Sequence, residues 1–170
     1  MWMSNNWKWI MKKIKTTVTI LFSVFILVAS AQEDTISLNL TDKTVSFIEA
    51  YSAKQQPNSS IDDVDHFLSF FADDFKDEHI KYGVVVADKT EFKKGLVDKL
   101  QNKVYFHRVT IENIMMGNNV AFVKIKIWAK VKPYHMDTIV EHTTGQIMSI
   151  EFDENGLIKH LRRHHNWKIE

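Results

Sequence analysis

Ala121-Phe122-Val123-Lys124-Ile125-Lys126-Ile127-Trp128-Ala129-Lys130-Val131 alternates without a break. Ala121, Val123, Ile125, Ile127, Ala129 and Val131 are all apolar, while Phe122, Lys124, Lys126, Trp128 and Lys130 take the positions between them. Successive side chains of a strand point to opposite faces, so this period of two predicts a strand with one dry face and one wet or partner-covered face. That is the pattern of an antiparallel sheet.

The same period continues on both sides. Upstream, Tyr105, His107, Val109 and Ile111 alternate with Phe106, Arg108, Thr110 and Glu112, and Gly117-Asn118-Asn119 supplies a turn. Downstream, Pro133 to Asp137 forms a connection and Val140 to Phe152 a further strand, with Val140, His142, Thr144, Gln146, Met148, Ile150 and Phe152 on one face. Asp153-Glu154-Asn155-Gly156 is a hairpin turn leading into a last strand from Leu157 to Trp167.

Before Val104 the period is helical. Thr41 or Asp42 caps a helix carrying Val45, Ile48 and Tyr51, with Phe47 beside them, and Gln55 to Ser60 is a loop around Pro57. A second helix opens at Asp62 or Asp63, carries Val64, Phe67, Leu68, Phe70 and Phe71, and ends near Asp73-Asp74. Phe75 to Tyr82 reads as a short strand. A third helix starts between Asp88 and Thr90 and buries Phe92, Leu96, Val97 and Leu100. Three helices followed by a four-stranded meander predict one α+β domain.

The N-terminus reads differently. Lys12, Lys13 and Lys15 precede an apolar run from Val18 to Ala31 that ends in Ala29-Ser30-Ala31, a small-x-small site followed by polar Gln32. This predicts a signal peptide over residues 1–31, with Met11 as an alternative start, a polar linker over 32–40 and the domain over 41–170. A span of 14 positions is short for a membrane helix, which needs about 20 apolar residues. The expectation is export to a periplasm or the medium, with no stable membrane anchor after cleavage.

Removing the leader takes four of the 22 basic residues and none of the 21 acidic ones, so the formal charge turns from +1 to −3. Neither value carries a nucleic-acid signature, and Lys124, Lys126 and Lys130 around Trp128 do not supply one in an exported chain. The absence of cysteine excludes disulfides, thiol catalysis and Cys-ligated metal. Chemistry then rests on His, carboxylates, Tyr and Arg.

Three segments carry a family resemblance: Val45-Ser46-Phe47-Ile48-Glu49-Ala50-Tyr51-Ser52-Ala53, Phe70-Phe71-Ala72-Asp73-Asp74-Phe75, and Phe152-Asp153-Glu154-Asn155-Gly156-Leu157-Ile158. In order and spacing the chain resembles the nuclear transport factor 2-like superfamily, in its SnoaL-like and ketosteroid-isomerase-like branch. The resemblance implies a cone: a strongly curved antiparallel sheet covered by about three helices, with a pocket for a small molecule. Members include isomerases, cyclases, dehydratases, hydrolases and non-catalytic binding proteins, so the fold leaves the function open.

Family isomerases hold an oxyanion with a Tyr and a neutral Asp and move the proton with a carboxylate. By the resemblance these positions fall on Phe47, Met148 and His79. The first two have lost the required group, which argues against steroid isomerisation. His79 is either a general base oriented by Asp77 or a partly exposed strand histidine. Phe47, Tyr51, Tyr82, Tyr105, His107, His142, Gln146, Met148, Arg163 and His165 are the expected pocket residues, with Arg163 either holding an anion or paired to an acid at the cone mouth. No cofactor is expected, and the spacing of His79, His107 and His142 does not predict a metal site. Phe122 and Trp128, apolar on a charged face, are the expected homodimer contact. The leading expectation is a small-molecule binding domain; the alternatives are an interaction module with a filled cone and an acid–base isomerase or dehydratase using His79.

Overall fold

In a computed structural model that describes residues 40–167, Ala121, Val123 and Ile125 are fully buried, and Ile127 and Ala129 nearly so. Phe122 and Trp128 on the opposite face are each 42% exposed. The leader and cleavage site expected at residues 1–31 lie outside the described residues, as does the linker up to residue 39.

The chain runs through α1 (40–53), α2 (Ile61–Leu68), β1 (Phe71–His79), β2 (Val84–Val86), α3 (Lys89–Asp98), β3 (Lys103–Met116), β4 (Val120–Lys132), β5 (Val140–Phe152) and β6 (Ile158–Trp167). Leu40, expected in the linker, is already helical and buried. Single 3-10 turns at Ile80–Tyr82 and Lys99–Gln101 follow β1 and α3. The sheet order is β2-β1-β6-β5-β4-β3. β3 to β6 form the antiparallel meander, but β1 lies parallel to β6, so the sheet is mixed rather than wholly antiparallel. A parallel pair requires a long crossover, and the whole chain between the two strands supplies it.

Helix starts follow local chemistry. Ser60 caps α2 in a reciprocal box, its hydroxyl accepting from the Asp63 N–H while the Asp63 carboxylate accepts from the Ser60 N–H at 2.7 Å. Asp88 caps α3 by accepting from the Glu91 N–H at 2.8 Å. The second helix stops at Leu68, well short of the expected Asp73-Asp74, and the residues from Phe71 are strand. Phe67, Phe71 and Phe75 recur every four residues, which imitates a helix. Tertiary pairing overrides the imitation: Phe71 pairs with Ile158, and between Phe71 and Lys76 five residues of β1 advance against two of β6. This bulge lets Phe71 and Phe75 face the same core.

That core is aromatic. Phe71 meets Phe47, Phe67, Phe75 and Phe92 with ring centroids 5.1–5.8 Å apart, mostly edge to face. Met148, Ile150, Ile158 and Leu161 close it from the sheet side, all fully buried. The bulges bend the sheet around this nucleus. One lies in β3 between Val104 and Phe106, and a second between Ile111 and Asn113.

Candidate functional site

The aromatic nucleus fills only part of the space under the helices. Beyond it lies a half-open cavity of about 870 Å³. Its floor comes from β3 to β6, its roof from the end of α1 and from α3, and its rim from the loop at Gln55–Ser59 and from Tyr82. Gln56 fixes the roof to the floor, its Nε2 donating to the His107 carbonyl at 2.9 Å.

Strand register places two histidines symmetrically. Ala129 pairs with His107 on one side and His142 on the other, so both imidazoles flank a methyl group on the cavity floor. Burial, then the charges of Lys54 and His142, pushes the His107 imidazole down to about 4. It is therefore neutral at neutral pH, and its buried Nδ1 has no hydrogen-bond partner.

A second pair stands at the other end. His79 Nδ1 lies 3.1 Å from His165 Nε2, and Gln146 Nε2 lies 3.2 Å from His165 Nδ1. His79 Nε2 is 3.7 Å from Asp77 Oδ2. One tautomer set satisfies this series: the Gln146 amide donates to His165 Nδ1, His165 Nε2–H donates to His79 Nδ1, and His79 Nε2–H faces the carboxylate. Gln146 Oε1 is then left over, and it is buried without a partner. Burial, then His79 and Arg163, pushes His165 down to about 4, which suits a neutral imidazole in this role. Asp77 is wholly buried. Burial pushes its carboxyl up, but Arg163 and His79 outweigh burial and hold it below its ordinary value. Arg163 grips it with Nε on Oδ1 at 2.9 Å and Nη2 on Oδ2 at 2.7 Å.

Of the residues expected at the pocket, Tyr51, His79, Tyr82, His107, His142, Gln146, Arg163 and His165 line this cavity. The histidines form two separate pairs and do not converge as His79, His107 and His142. Among the described residues no group of three or more His, Cys, Asp or Glu is arranged to hold a metal ion. Asp77 is not on the cavity surface but behind Arg163. Phe47 and Met148 are fully buried in the core and do not reach the cavity, because α1 turns Phe47 onto Phe67 and Phe71 and β5 places Met148 beneath the helices. Tyr105 is also corrected: it is the extra residue of the Val104/Phe106 bulge, 40% exposed, and Val104 takes the floor position.

Two lysines escaped the sequence reading. Lys54 is buried, its ammonium 4.7 Å from the Tyr51 ring centroid and 4.6 Å from that of Phe67, and Lys99 lines the cavity below α3. The signal was present: Lys54 follows Tyr51 by three residues and Lys99 follows Leu96 by three, which continues each apolar stripe. A lysine on such a stripe is easily read as a helix end.

No family model matches the chain, and no curated protein matches it by sequence. Solved structures do. A protein assigned as a SnoaL-like polyketide cyclase from Shewanella putrefaciens CN-32 superposes with a TM-score of 0.61 over 81% of this chain and 86% of its own, at 13% identity. An NTF2-like protein of unknown function from Exiguobacterium sp. 255-15 gives 0.57 over 76% and 99%, at 10% identity.

The chain has the nuclear transport factor 2-like fold.

An epoxide hydrolase of Mycobacterium tuberculosis, described as LEH-like, shares this NTF2-like fold with a TM-score of 0.53 over 74% of this chain and 84% of its own, at 15% identity. At these identities the likeness extends to the fold alone. Within the NTF2-like frame the cavity of this chain is set by its own residues: four histidines, two lysines with no carboxylate within 4 Å among the described residues, and one arginine committed to Asp77.

Proposed function

We propose that this chain is an exported NTF2-like domain that binds a small organic molecule in its histidine-containing cavity. The observation that carries the reading is the cavity itself, about 870 Å³ and within the range of small-molecule sites, lined by both apolar side chains and polar groups. A filled cone, the mark of an interaction module, would have closed this space with Phe and Met. Here Phe47 and Met148 stay in the nucleus. Buried His107 Nδ1 and Gln146 Oε1 have no partner among the described residues, which costs stability unless a ligand or water supplies one. Native mass spectrometry of protein purified from its own host tests the reading. A retained small molecule is expected, and an empty protein with no thermal shift across a broad metabolite panel overturns it.

A catalytic reading has one specific support. Asp77 lies 3.7 Å from His79 Nε2 and His79 lines the cavity, so a carboxylate-oriented imidazole can move a proton at Nδ1 once a ligand takes the place of His165 there, as an isomerase or dehydratase requires. His79→Gln should abolish turnover of a captured ligand while leaving its binding within about threefold. Unchanged turnover removes His79 from any mechanism.

Export and dimerisation complete the proposal. The Lys12-Lys13-Ile14-Lys15 leader and the Ala29-Ser30-Ala31 site support a mature chain beginning at Gln32, which N-terminal sequencing of the exported protein checks. No helix among the described residues is long and apolar enough to cross a membrane. Exposed Phe122 and Trp128 support a homodimer through the outer sheet face, read as the subunit count in the same mass spectrum.

A further inference from the structure

Charge on this molecule is distributed against expectation. On the outside, where water would solvate them anyway, Lys76, Lys89, Lys93, Lys124, Lys130, Lys132 and Lys159 each lie within 4 Å of a carboxylate. Lys54 and Lys99, which line the cavity, have no carboxylate at that distance among the described residues, and Lys54 is buried while Lys99 is exposed. Asp77 is the acid whose charge both lysines feel, and both its oxygens are engaged by Arg163. Three cationic side chains therefore surround one neutralised acid.

Lys54 shows the cost most clearly. It is 91% buried, since its relative exposure is 9%. Its ammonium rests on the faces of Tyr51 and Phe67, a cation–π arrangement that offsets only part of the lost hydration. Burial, then the charges of Arg163 and Lys99, holds its pKa well below the ordinary lysine value. A methionine would fill the same space without that cost. Arg163 meets Lys54 at the same ring, with Cζ 5.5 Å from the Tyr51 centroid. Its Nη1 edge has no hydrogen-bond partner among the described residues, because the pair with Asp77 uses Nε and Nη2. The lining of the same cavity also includes the apolar side chains of Phe92, Leu96, Val104, Ile127 and Val131.

On the proposed binding role of the cavity, on which this inference rests, the geometry points to an organic carboxylate with an apolar body as the ligand class, its carboxylate seated between Lys54 and the free edge of Arg163. The anion supplies the charge that the protein withholds, and the apolar body packs on the apolar part of the lining. Two point charges beside a ring suit a monoanion. A phosphate, which Arg and Lys side chains also bind, is the competing anion, but it carries no apolar body to cover the apolar lining.

The test compares 2-naphthoate with its neutral isostere 2-naphthamide by isothermal titration calorimetry on the full-length mature protein. The acid should bind at least about tenfold more tightly than the amide. Lys54→Met should erase that preference while leaving the amide within about twofold, and Lys54→Arg should restore most of it. Without ligand, Lys54→Met should melt no lower than wild type, a result that a purely structural lysine would not give. Should Lys54→Met fail to fold, Lys54→Gln carries the same comparison. Equal binding of acid and amide by wild type, a preference that survives Lys54→Met, or displacement of naphthoate by millimolar inorganic phosphate overturns the inference and leaves the cavity's binding role standing. Binding of neither probe also overturns the inference, while the binding role is decided by the mass spectrum and the metabolite panel.

Discussion

Arg163 and Asp77 meet across the parallel pair β1 and β6, joined by two hydrogen bonds of 2.9 and 2.7 Å in a site where the carboxylate is wholly buried. Parallel neighbours run the same way, so the guanidinium reaches along the sheet to a residue whose register partner is Leu161. The pair holds Arg163 in one orientation and thereby fixes what its remaining edge presents to the cavity.

Asp77→Ala should therefore destabilise the domain by about 3–5 kcal/mol, because it leaves a buried cation without its partner. Replacing both residues, as in Asp77→Leu with Arg163→Met, should recover a large part of that loss. Urea denaturation of the two single variants and the double variant measures the coupling, and additive losses would contradict it.

Acid should weaken the fold before its carboxylates titrate. His107 and His165 have folded-state values pushed from 6.5 to about 4, so the unfolded chain takes up their protons first as the pH falls. Stability is then full above pH 6.5 and is lost between 6.5 and about 4, with a slope of at most about 1.4 kcal/mol per pH unit for each histidine and less for the more open His165. His107→Gln should flatten the slope in denaturation midpoints measured from pH 7 to pH 4.5. An unchanged slope would place the effect elsewhere.

Restoring a tyrosine at position 47 should not create a binding or catalytic hydroxyl. Phe47 is fully buried against Phe67, Phe70 and Phe71, so Phe47→Tyr places a hydroxyl among rings and should cost about 1–3 kcal/mol. Ligand affinity should stay within about twofold. A gain in binding or turnover would mean that the position reaches the cavity.

Gly156 stands at φ +70° in the last hairpin, in a conformation other residues adopt with strain. Its N–H donates to the Asp153 carbonyl at 3.0 Å. Gly156→Ala should lower stability by about 1 kcal/mol, visible as a shift in Tm, and Gly156→Asn by less.

What could be read in advance follows from how local each determinant is. The face of β4 was legible because burial there obeys the pleat alone, and α3 because Asp88 caps it and Phe92 and Leu96 sit one turn apart. Phe71 misled because its neighbours at four-residue spacing satisfy a helix as well as a bulged strand, and only Ile158, 87 residues away in the chain, decides between them. Tyr105 misled because one inserted residue shifts the alternation, so that Val104 and not Tyr105 shares the inward face of His107. His107 and His142 were legible as inward-facing; that Ala129 separates them required the register of three strands. The partner of Arg163 was open between ligand and acid, and the sequence distance to Asp77 is too long for any pattern to settle.

The order β2-β1-β6 puts the last strand of the described chain inside the sheet and not at its rim. Until β6 is in place, β1 and β2 have no edge to join, and the Asp77 carboxylate has no guanidinium to meet. Assembly is thus all at once and late, closed by contacts between residues far apart in the chain, a topology that favours slow folding. Such a chain leaves its ligand chamber unformed until its final segment arrives, so removing β6 should yield not a smaller receptor but none at all.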